Sequence, residues 1–141
     1  LEFIDIDNKI EKNQNNTISE IFKKRGENYF RKIEENISIN FLKLENKIIS
    51  LGGGGYINSN IRKQCMNNCL SIWLDWKPEI LINRIKNNKK RPLASSLSTN
   101  EIKKLIIERS KIYNLSDHQI ICDKLEKNQI VNKIIKIYEN F

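Results

Sequence analysis

Four short apolar segments alternate with longer amphipathic ones along this chain, and this alternation limits the possible folds more than any other feature of the sequence. The apolar segments span residues 1–6, 47–51, 69–74 and 119–122 and have the length of buried strands. The connections between them are long enough to hold helices, as crossovers between parallel strands require. The sequence therefore predicts an α/β fold with a parallel sheet and helices on both of its faces.

Local signals mark several element boundaries. Residues 17–20 (Thr-Ile-Ser-Glu) and 98–101 (Ser-Thr-Asn-Glu) have the pattern of capping boxes, which begin helices. Gly26 is expected to end the first of these helices, and apolar residues three or four apart predict another helix over residues 27–43. The basic segment 84–97 is expected to be an irregular loop. We also expect the first strand to run into a loop.

Composition and charge exclude several classes of protein. The chain has 141 residues, of which 39% are hydrophobic, and no apolar run approaches the roughly 18 residues that span a bilayer. The net charge of +8 comes from lysines scattered among Ile and Asn, a distribution typical of solvated surface. A nucleic-acid binder, the alternative for a basic chain, would bind with a steep salt dependence. We expect a single soluble, cytoplasmic domain over residues 1–141 with no nucleic-acid or membrane partner.

The cysteines do not form a metal-binding or disulfide signature. Cys65, Cys69 and Cys122 are an odd number, and the single histidine, His118, is distant in sequence from the first two. A zinc site would require the fold to bring these four residues together. We therefore expect reduced thiols and no structural metal.

Candidate functional residues follow three of the predicted strands. Ligands of parallel α/β sheets bind beyond the carboxyl ends of the strands. Asp5 and Asp7 end the first strand, four glycines (residues 52–55) follow the second, and Asp123 follows the last. The carboxylates could hold a divalent cation or accept a proton, or could form an ordinary acidic turn. The glycines could present bare amides to an anion or hydroxyl, or could form a flexible hinge.

Arginine is scarce in this chain, with six arginines against nineteen lysines. An arginine provides a planar fork for carboxylates and phosphates that lysine cannot reproduce. Each single arginine has a surface position as its alternative role. Together with the acidic and glycine features, four of them indicate an anionic substrate: Arg31, Arg84, Arg91 and Arg109.

The order and spacing of these residues resemble the shikimate kinase family from residue 1 to the C-terminus. The residues that carry the resemblance are Asp5-Ile6-Asp7, Gly26-Glu27-Asn28-Tyr29-Phe30-Arg31 with Glu34, Gly52-Gly53-Gly54, Arg91-Pro92-Leu93, and Arg109 with Tyr113. The resemblance implies a nucleoside-monophosphate-kinase-like (P-loop kinase) fold. It also implies transfer of the γ-phosphoryl group of ATP to the 3-hydroxyl of shikimate, in the biosynthesis of chorismate and the aromatic amino acids.

The resemblance also assigns residues to the acceptor substrate. Asp7 would hydrogen-bond the attacking hydroxyl and act as the base. Arg31 and Arg109 would hold the shikimate carboxylate, and Gly52, Gly53 and Gly54 would offer backbone amides to the ring substituents. These roles suit phosphoryl transfer, which depends mainly on positioning and on charge stabilisation.

Other residues are assigned by the resemblance to ATP and its Mg²⁺ ion. Asp5 would help to hold Mg²⁺ through water. Arg91, on a lid at about residues 87–97, would reach the transferring phosphate, and Arg84 would lie against the adenine. Closure of such a lid keeps water from competing for the phosphoryl group.

One motif of the family is missing from the 141 residues. The phosphate-binding loop Gly-x-x-x-x-Gly-Lys-[Ser/Thr] does not occur, and neither does any Gly-Lys pair. The resemblance therefore implies an N-terminally truncated domain that lacks its first, central strand, with marginal stability and weak or no activity. The alternative is a non-catalytic remnant that binds shikimate or a partner protein. We expect a monomer that needs the missing segment or a partner supplying it.

Overall fold

The computed structural model describes residues 1–88, 94 and 96–141 of the chain. The chain forms two compact units, Leu1–Cys69 and Leu70–Phe141. Within the described residues each unit contains two strands, and hydrogen bonds join these strands as two parallel pairs. The predicted α/β class and the parallel strand direction are confirmed. The assignment of residues 1–141 to one domain stays a prediction.

The first unit consists of two strands, four helices and one short 3₁₀ turn. In chain order these are β1 (Glu2–Asp5), α1 (Ile6–Gln14), α2 (Ile18–Arg25), α3 (Glu27–Leu42), β2 (Lys47–Ser50), a 3₁₀ turn (Gly55–Ile57) and α4 (Ser59–Asn68). The capping box at α2 is confirmed, since Thr17 and Glu20 each accept a hydrogen bond from the other's backbone amide. Gly26 ends α2 with a φ of 83°, a value that glycine adopts without strain.

The strand pair of the first unit buries one face and exposes the other. In the parallel register Phe3 lies opposite Ile48, and Ile4 lies opposite Ile49. Ile4 is buried in a core with the α1 residues Ile6 and Ile10, whereas Phe3 and Ile48 are 63% and 47% exposed. Side chains alternate between the faces of a strand, so the helices of this unit cover only one side of the pair.

The prediction that the first strand runs into a loop is wrong. Helix α1 begins at Ile6, directly after β1, and the carboxylate of Asp5 caps it by accepting a hydrogen bond from the backbone amide of Asn8 at 3.0 Å. Asp7 lies in the first turn, where a negative charge interacts favourably with the helix dipole. The acidic residues that favoured a turn are therefore the residues that start a helix.

The described residues of the second unit include two strands and three helices with defined bounds. In chain order these are β3 (Ile72–Asp75), α5 (Pro78–Lys86), α6 (Thr99–Tyr113), β4 (His118–Ile121) and α7 (Lys127–Glu139). The capping box of Ser98 and Glu101 starts α6, as predicted. Ile120, Cys122 and Ile130 form the buried core where β4 meets α7.

The irregular segment predicted from residue 84 begins later than expected. Arg84 and Lys86 belong to the last turn of α5, where cations interact favourably with the carbonyl end of the helix dipole. Much of the predicted lid, including Arg91, lies outside the described residues. In the part of the chain that the structure describes, no helix has both the length and the apolar character needed to cross a membrane.

Candidate functional site

The glycine run lies against charged side chains from two helices of the first unit. It follows β2 directly, so it leaves the carboxyl end of a strand whose neighbour, β1, leads into Asp5 and Asp7. A Cβ atom on Gly52 would lie 2.8 Å from Oδ1 of Asp7 and 3.4 Å from Oε1 of Glu34. A Cβ atom on Gly54 would lie 2.8 Å from Cζ of Arg31. The structure therefore brings Asp7, Arg31 and Glu34 together against the glycine run, residues 52–55, which we call the glycine surface.

Positions 52 and 54 require glycine because a Cβ atom has no room there. Their backbone conformation does not require glycine. Among the described glycines a positive φ occurs at Gly26, which has no atom within 4 Å of its Cβ position. At Gly52 and Gly54 the neighbouring atoms belong to charged side chains. The glycines thus let backbone and charged groups approach closely, which is how glycine is used where a ligand meets the main chain.

Arg31 and Glu34 form an ion pair on α3. Nη1 of Arg31 donates to Oε2 of Glu34 at 2.6 Å, and Glu34 is only 2% exposed. The guanidinium centre of Arg31 also lies 5.2 Å from the ring centroid of Phe30, and its Nε is 3.6 Å from the exposed carboxylate of Glu27. These contacts orient the guanidinium, and the N–H groups of Arg31 that do not bond Glu34 can donate to an anion.

An open cleft of about 320 Å³ adjoins this surface, and its lining includes Arg31, Lys32, Glu35, Asn36 and Asn58. The carboxylate of Glu35 accepts hydrogen bonds from the side-chain amides of Asn58 at 2.6 Å and Asn60 at 3.0 Å. These hydrogen bonds hold the polar side chains of the cleft in place at the start of α4. It offers a guanidinium for an anion, a carboxylate that can accept a proton from a hydroxyl, and the backbone of a glycine run.

The remaining predicted site residues of the described chain belong to the second unit. Arg84 is exposed, and its guanidinium centre lies 4.0 Å from the ring centroid of Trp76. Arg109 is half-buried on α6. Arg91 lies outside the described residues. The roles of these three arginines stay predictions.

The thiols and the possible metal ligands give no cluster. The three cysteines form no disulfide, and Cys65 and Cys122 are buried. Burial raises the pKa of the Cys122 thiol, and the nearby carboxylates of Asp123 and Asp75 raise it further. Within residues 1–88, 94 and 96–141 no group of three or more His, Cys, Asp and Glu side chains could hold a metal ion.

Two residues of the site had no role assigned from the sequence. Glu34 is three residues after Arg31, which is the spacing of a helical ion pair, so its contact could have been predicted. Arg62, on α4, donates to two backbone carbonyls of the segment that follows the glycines. Only the scarcity of arginine in this chain pointed to it.

Comparison with known proteins gives one consistent result. A family model described as shikimate kinase matches residues 1–139. The chain is 40% identical over 134 residues to the shikimate kinase of Persephonella marina, covering 94% of this chain and 80% of that protein. It is 35% identical over 140 residues to the shikimate kinase of Bacillus pumilus, covering 95% and 74%.

Solved structures give the same result for the fold. The shikimate kinase of Aquifex aeolicus matches with a TM-score of 0.84 and 31% identity, covering 99% of this chain and 83% of that one. A shikimate kinase of Acinetobacter baumannii in complex with shikimate matches with a TM-score of 0.91, covering 99% and 79%. At 23% identity the second likeness concerns the fold alone.

Proposed function

The chain belongs to the shikimate kinase family, and from this premise we propose that Asp7, Arg31 and the glycine run bind shikimate as the phosphoryl acceptor. The observation that carries the proposal is the packing of Asp7 against Gly52 and of Arg31 against Gly54. The proposal is supported by the closeness of a carboxylate, a guanidinium and the backbone of the glycine run, which are groups that one small molecule could contact together. Shikimate has a carboxylate and ring hydroxyls, which are the groups that such a site would bind.

Each group of the site has a separate task in this proposal. Arg31 holds the shikimate carboxylate with the part of its fork that Glu34 does not use, and Arg109 supplies a second guanidinium. Asp7 hydrogen-bonds the 3-hydroxyl and accepts its proton as the oxygen attacks phosphorus. The amides of Gly52, Gly53 and Gly54 hold the other ring substituents.

ATP and Mg²⁺ are the expected co-substrate and cofactor of the family. Mg²⁺ is commonly held by one or two carboxylates together with water and phosphate oxygens, so a site with few protein ligands fits the single carboxylate of Asp5. The bound ion would stabilise negative charge on the transferred phosphate. On the donor side, Arg84 would lie against the adenine and Arg91 would reach the transferred phosphate.

The 141-residue chain by itself is proposed to bind shikimate and to transfer phosphate weakly or not at all. Its sequence has no Gly-x-x-x-x-Gly-Lys-[Ser/Thr] loop to hold the β- and γ-phosphates. Turnover would need such a loop in addition. Binding of the acceptor is therefore the property to measure first.

Isothermal titration with shikimate tests the proposal. We expect saturable binding by the chain, and a decrease in affinity of roughly tenfold or more in Arg31→Met because charge-assisted hydrogen bonds are lost. Arg25→Met is the matched control, since Arg25 ends α2 and packs over the ring of Tyr29. A chain that gives no shikimate-dependent heat, or that loses affinity equally in both variants, would contradict the proposal.

Two further variants test the assigned roles. In a version extended by a phosphate-binding loop, Asp7→Asn should lower kcat far more than it raises KM, because the base acts in the transition state. Unchanged turnover would exclude Asp7 as the base. Arg109→Lys should weaken shikimate binding because a planar fork is replaced by a point charge, and equal affinity would show that this arginine is assigned wrongly.

A further inference from the structure

Arg62 connects helix α4 to the segment that follows the glycine run. Its Nη1 atom donates hydrogen bonds to the carbonyl oxygens of Tyr56 at 3.0 Å and Ile57 at 2.9 Å. Arg62 is half-buried, and both accepting carbonyls belong to the 3₁₀ turn, whose last residue is Ile57. A charged donor on a helix thus holds two successive peptide groups of a turn.

Backbone hydrogen bonds couple this turn to the glycines. The amide of Gly55 donates to the carbonyl of Gly52 at 2.9 Å, and the amide of Ile57 donates to the carbonyl of Gly54 at 3.2 Å. The orientation of the glycine peptides therefore depends on the peptides of residues 55–57. Because glycine has more backbone freedom than any other residue, a run of four cannot fix this orientation by itself.

The far end of the segment is fixed independently of Arg62. Asn58 accepts hydrogen bonds from the amides of Asn60 and Ile61 and so caps α4, while its own side-chain amide donates to Glu35 on α3. The near end is fixed by β2, which pairs with β1. Between these two anchors, the two hydrogen bonds of Arg62 hold consecutive peptide carbonyls in the middle of the segment.

We propose that Arg62 is a positioning residue for the acceptor site: by holding the carbonyls of Tyr56 and Ile57, it sets the conformation in which Gly52 and Gly54 meet Asp7 and Arg31. Its effect on substrate affinity rests on the proposed function. Its effect on the glycine backbone does not, so the two can be measured separately.

Glycine-selective ¹⁵N labelling measures the backbone effect directly. The chain contains five glycines, four in the run and Gly26, which lies between α2 and α3 and serves as an internal reference. In Arg62→Met we expect the amide signals of the run to shift and their exchange with solvent to become faster, while the Gly26 signal stays in place. Lys63→Met is the matched control, because it removes one positive charge from the adjacent, exposed position of the same helix.

Shikimate titration of the same proteins measures the functional effect. We expect Arg62→Met to lower the affinity roughly tenfold, as misplacement of positioning groups does, and Lys63→Met to leave it unchanged. Unchanged glycine signals in Arg62→Met would overturn the proposal, and so would shifted signals with unchanged affinity. If the unmodified chain does not bind shikimate, the proposed function has failed, and the glycine signals alone decide whether Arg62 sets the backbone.

A second variant covers the case in which Arg62→Met does not fold. Arg62→Lys keeps the charge but shortens the reach to the two carbonyls, so we expect smaller shifts of the same glycine signals. Far-ultraviolet circular dichroism and the Gly26 signal report whether each variant is folded. Arg62→Lys with wild-type signals throughout the run would count against the proposal, because the two-carbonyl geometry would then be dispensable.

Discussion

At the carboxyl end of the β1–β2 pair, the carboxylate of Asp7 fills the space that a side chain at Gly52 would need. A methyl group on Gly52 would begin 2.8 Å from Oδ1 of Asp7, closer than side-chain carbons approach other atoms in folded proteins. The carboxylate is short and belongs to the first turn of α1, so it has little freedom to move aside. The position of the proposed base is therefore set in part by the absence of a side chain 45 residues away in sequence.

Gly52→Ala should weaken shikimate binding more than it destabilises the fold. We expect roughly a tenfold loss of affinity, because the new methyl displaces the Asp7 carboxylate from its binding position. Titration with shikimate and urea denaturation measure the two effects. Gly26→Ala is the opposite control: its φ of 83° and ψ of 173° lie in a region that is essentially restricted to glycine, which predicts a stability loss of about 1–3 kcal/mol with unchanged affinity. Equal effects of the two variants on affinity would contradict this interpretation.

Gly54→Ala should be destabilising only while Arg31 is present. The added Cβ would overlap the guanidinium of Arg31, whose Cζ lies 2.8 Å from that position. A double-mutant cycle of Gly54→Ala with Arg31→Ala should give a coupling free energy of about 1 kcal/mol or more in urea denaturation. Additive effects would show that the two residues do not compete for this space.

Glu34→Gln should destabilise the chain by about 1–3 kcal/mol, because a buried charged acceptor of Arg31 is replaced by a neutral one. It should also weaken shikimate binding, since Arg31 loses the partner that orients it. Glu27→Gln is the control, because Glu27 is an exposed partner of the same arginine, and its loss should cost less than about 1 kcal/mol. Equal costs in urea denaturation would mean that burial of Glu34 does not matter.

Asp117 should make stability depend on acidic pH. Hydrogen bonds from the hydroxyl of Ser71 at 2.6 Å and from its amide at 2.8 Å lower the pKa of Asp117 below its ordinary value of 3.8. On acidification the unfolded chain therefore takes up this proton first. The stabilisation is complete above the ordinary pKa and is lost as the pH falls through the lower, folded value.

The unfolding free energy of Asp117→Asn should consequently fall less steeply than that of the unmodified chain as the pH drops through and below 3.8. Ser71→Ala, which removes one of the two kinds of donor, should give an intermediate slope. Urea denaturation at a series of pH values measures these slopes. Parallel curves for all three proteins would exclude the Ser71 contact as the cause.

Cys122 should be the slowest of the three thiols to react with an alkylating reagent. It is buried in the core of the second unit, and its raised pKa keeps the thiolate fraction low. Cys69 is only partly buried and should react first. Mass spectrometry of peptides after timed treatment with iodoacetamide gives the order, and rapid labelling of Cys122 in the folded protein would contradict the burial.

Local chemistry explains which parts of the fold were predictable from the sequence. The capping boxes at Thr17 and Ser98 depend on residues three apart, so the sequence alone determines them. The start of α1 is not predictable from the sequence, because Asp5 and Asp7 suit a turn and a helix N-terminus equally well. The basic segment that contains Arg84 indicates a loop, although a basic residue is also favourable in the last turn of a helix, where the structure has Arg84.

The candidate site was predictable in its parts and not in its contacts. Four successive glycines indicated close approach by another group, but the identity of that group depended on how α1 and α3 pack against β2. The contacts of Gly52 with Asp7 and of Gly54 with Arg31 join residues far apart in sequence. The hydrogen bonds of Arg62 end on backbone carbonyls, which every residue has. The residue types at positions 56 and 57 therefore give no sign of these bonds in the sequence.

The pairing of Phe3 with Ile48 has a consequence for the order in which the site assembles during folding. Helices α1, α2 and α3 lie between these two residues and are built largely from contacts close in sequence, whereas β1 and β2 must close a loop that contains all three helices. Local structure forms before such long-range pairing because loop closure costs entropy. We therefore expect the Arg31–Glu34 pair, which lies within one helix, to form early in folding. The contact between Asp7 and Gly52 depends on the strand pairing and is expected to form later, so a partly folded chain would contain the cation of the site without its glycine surface.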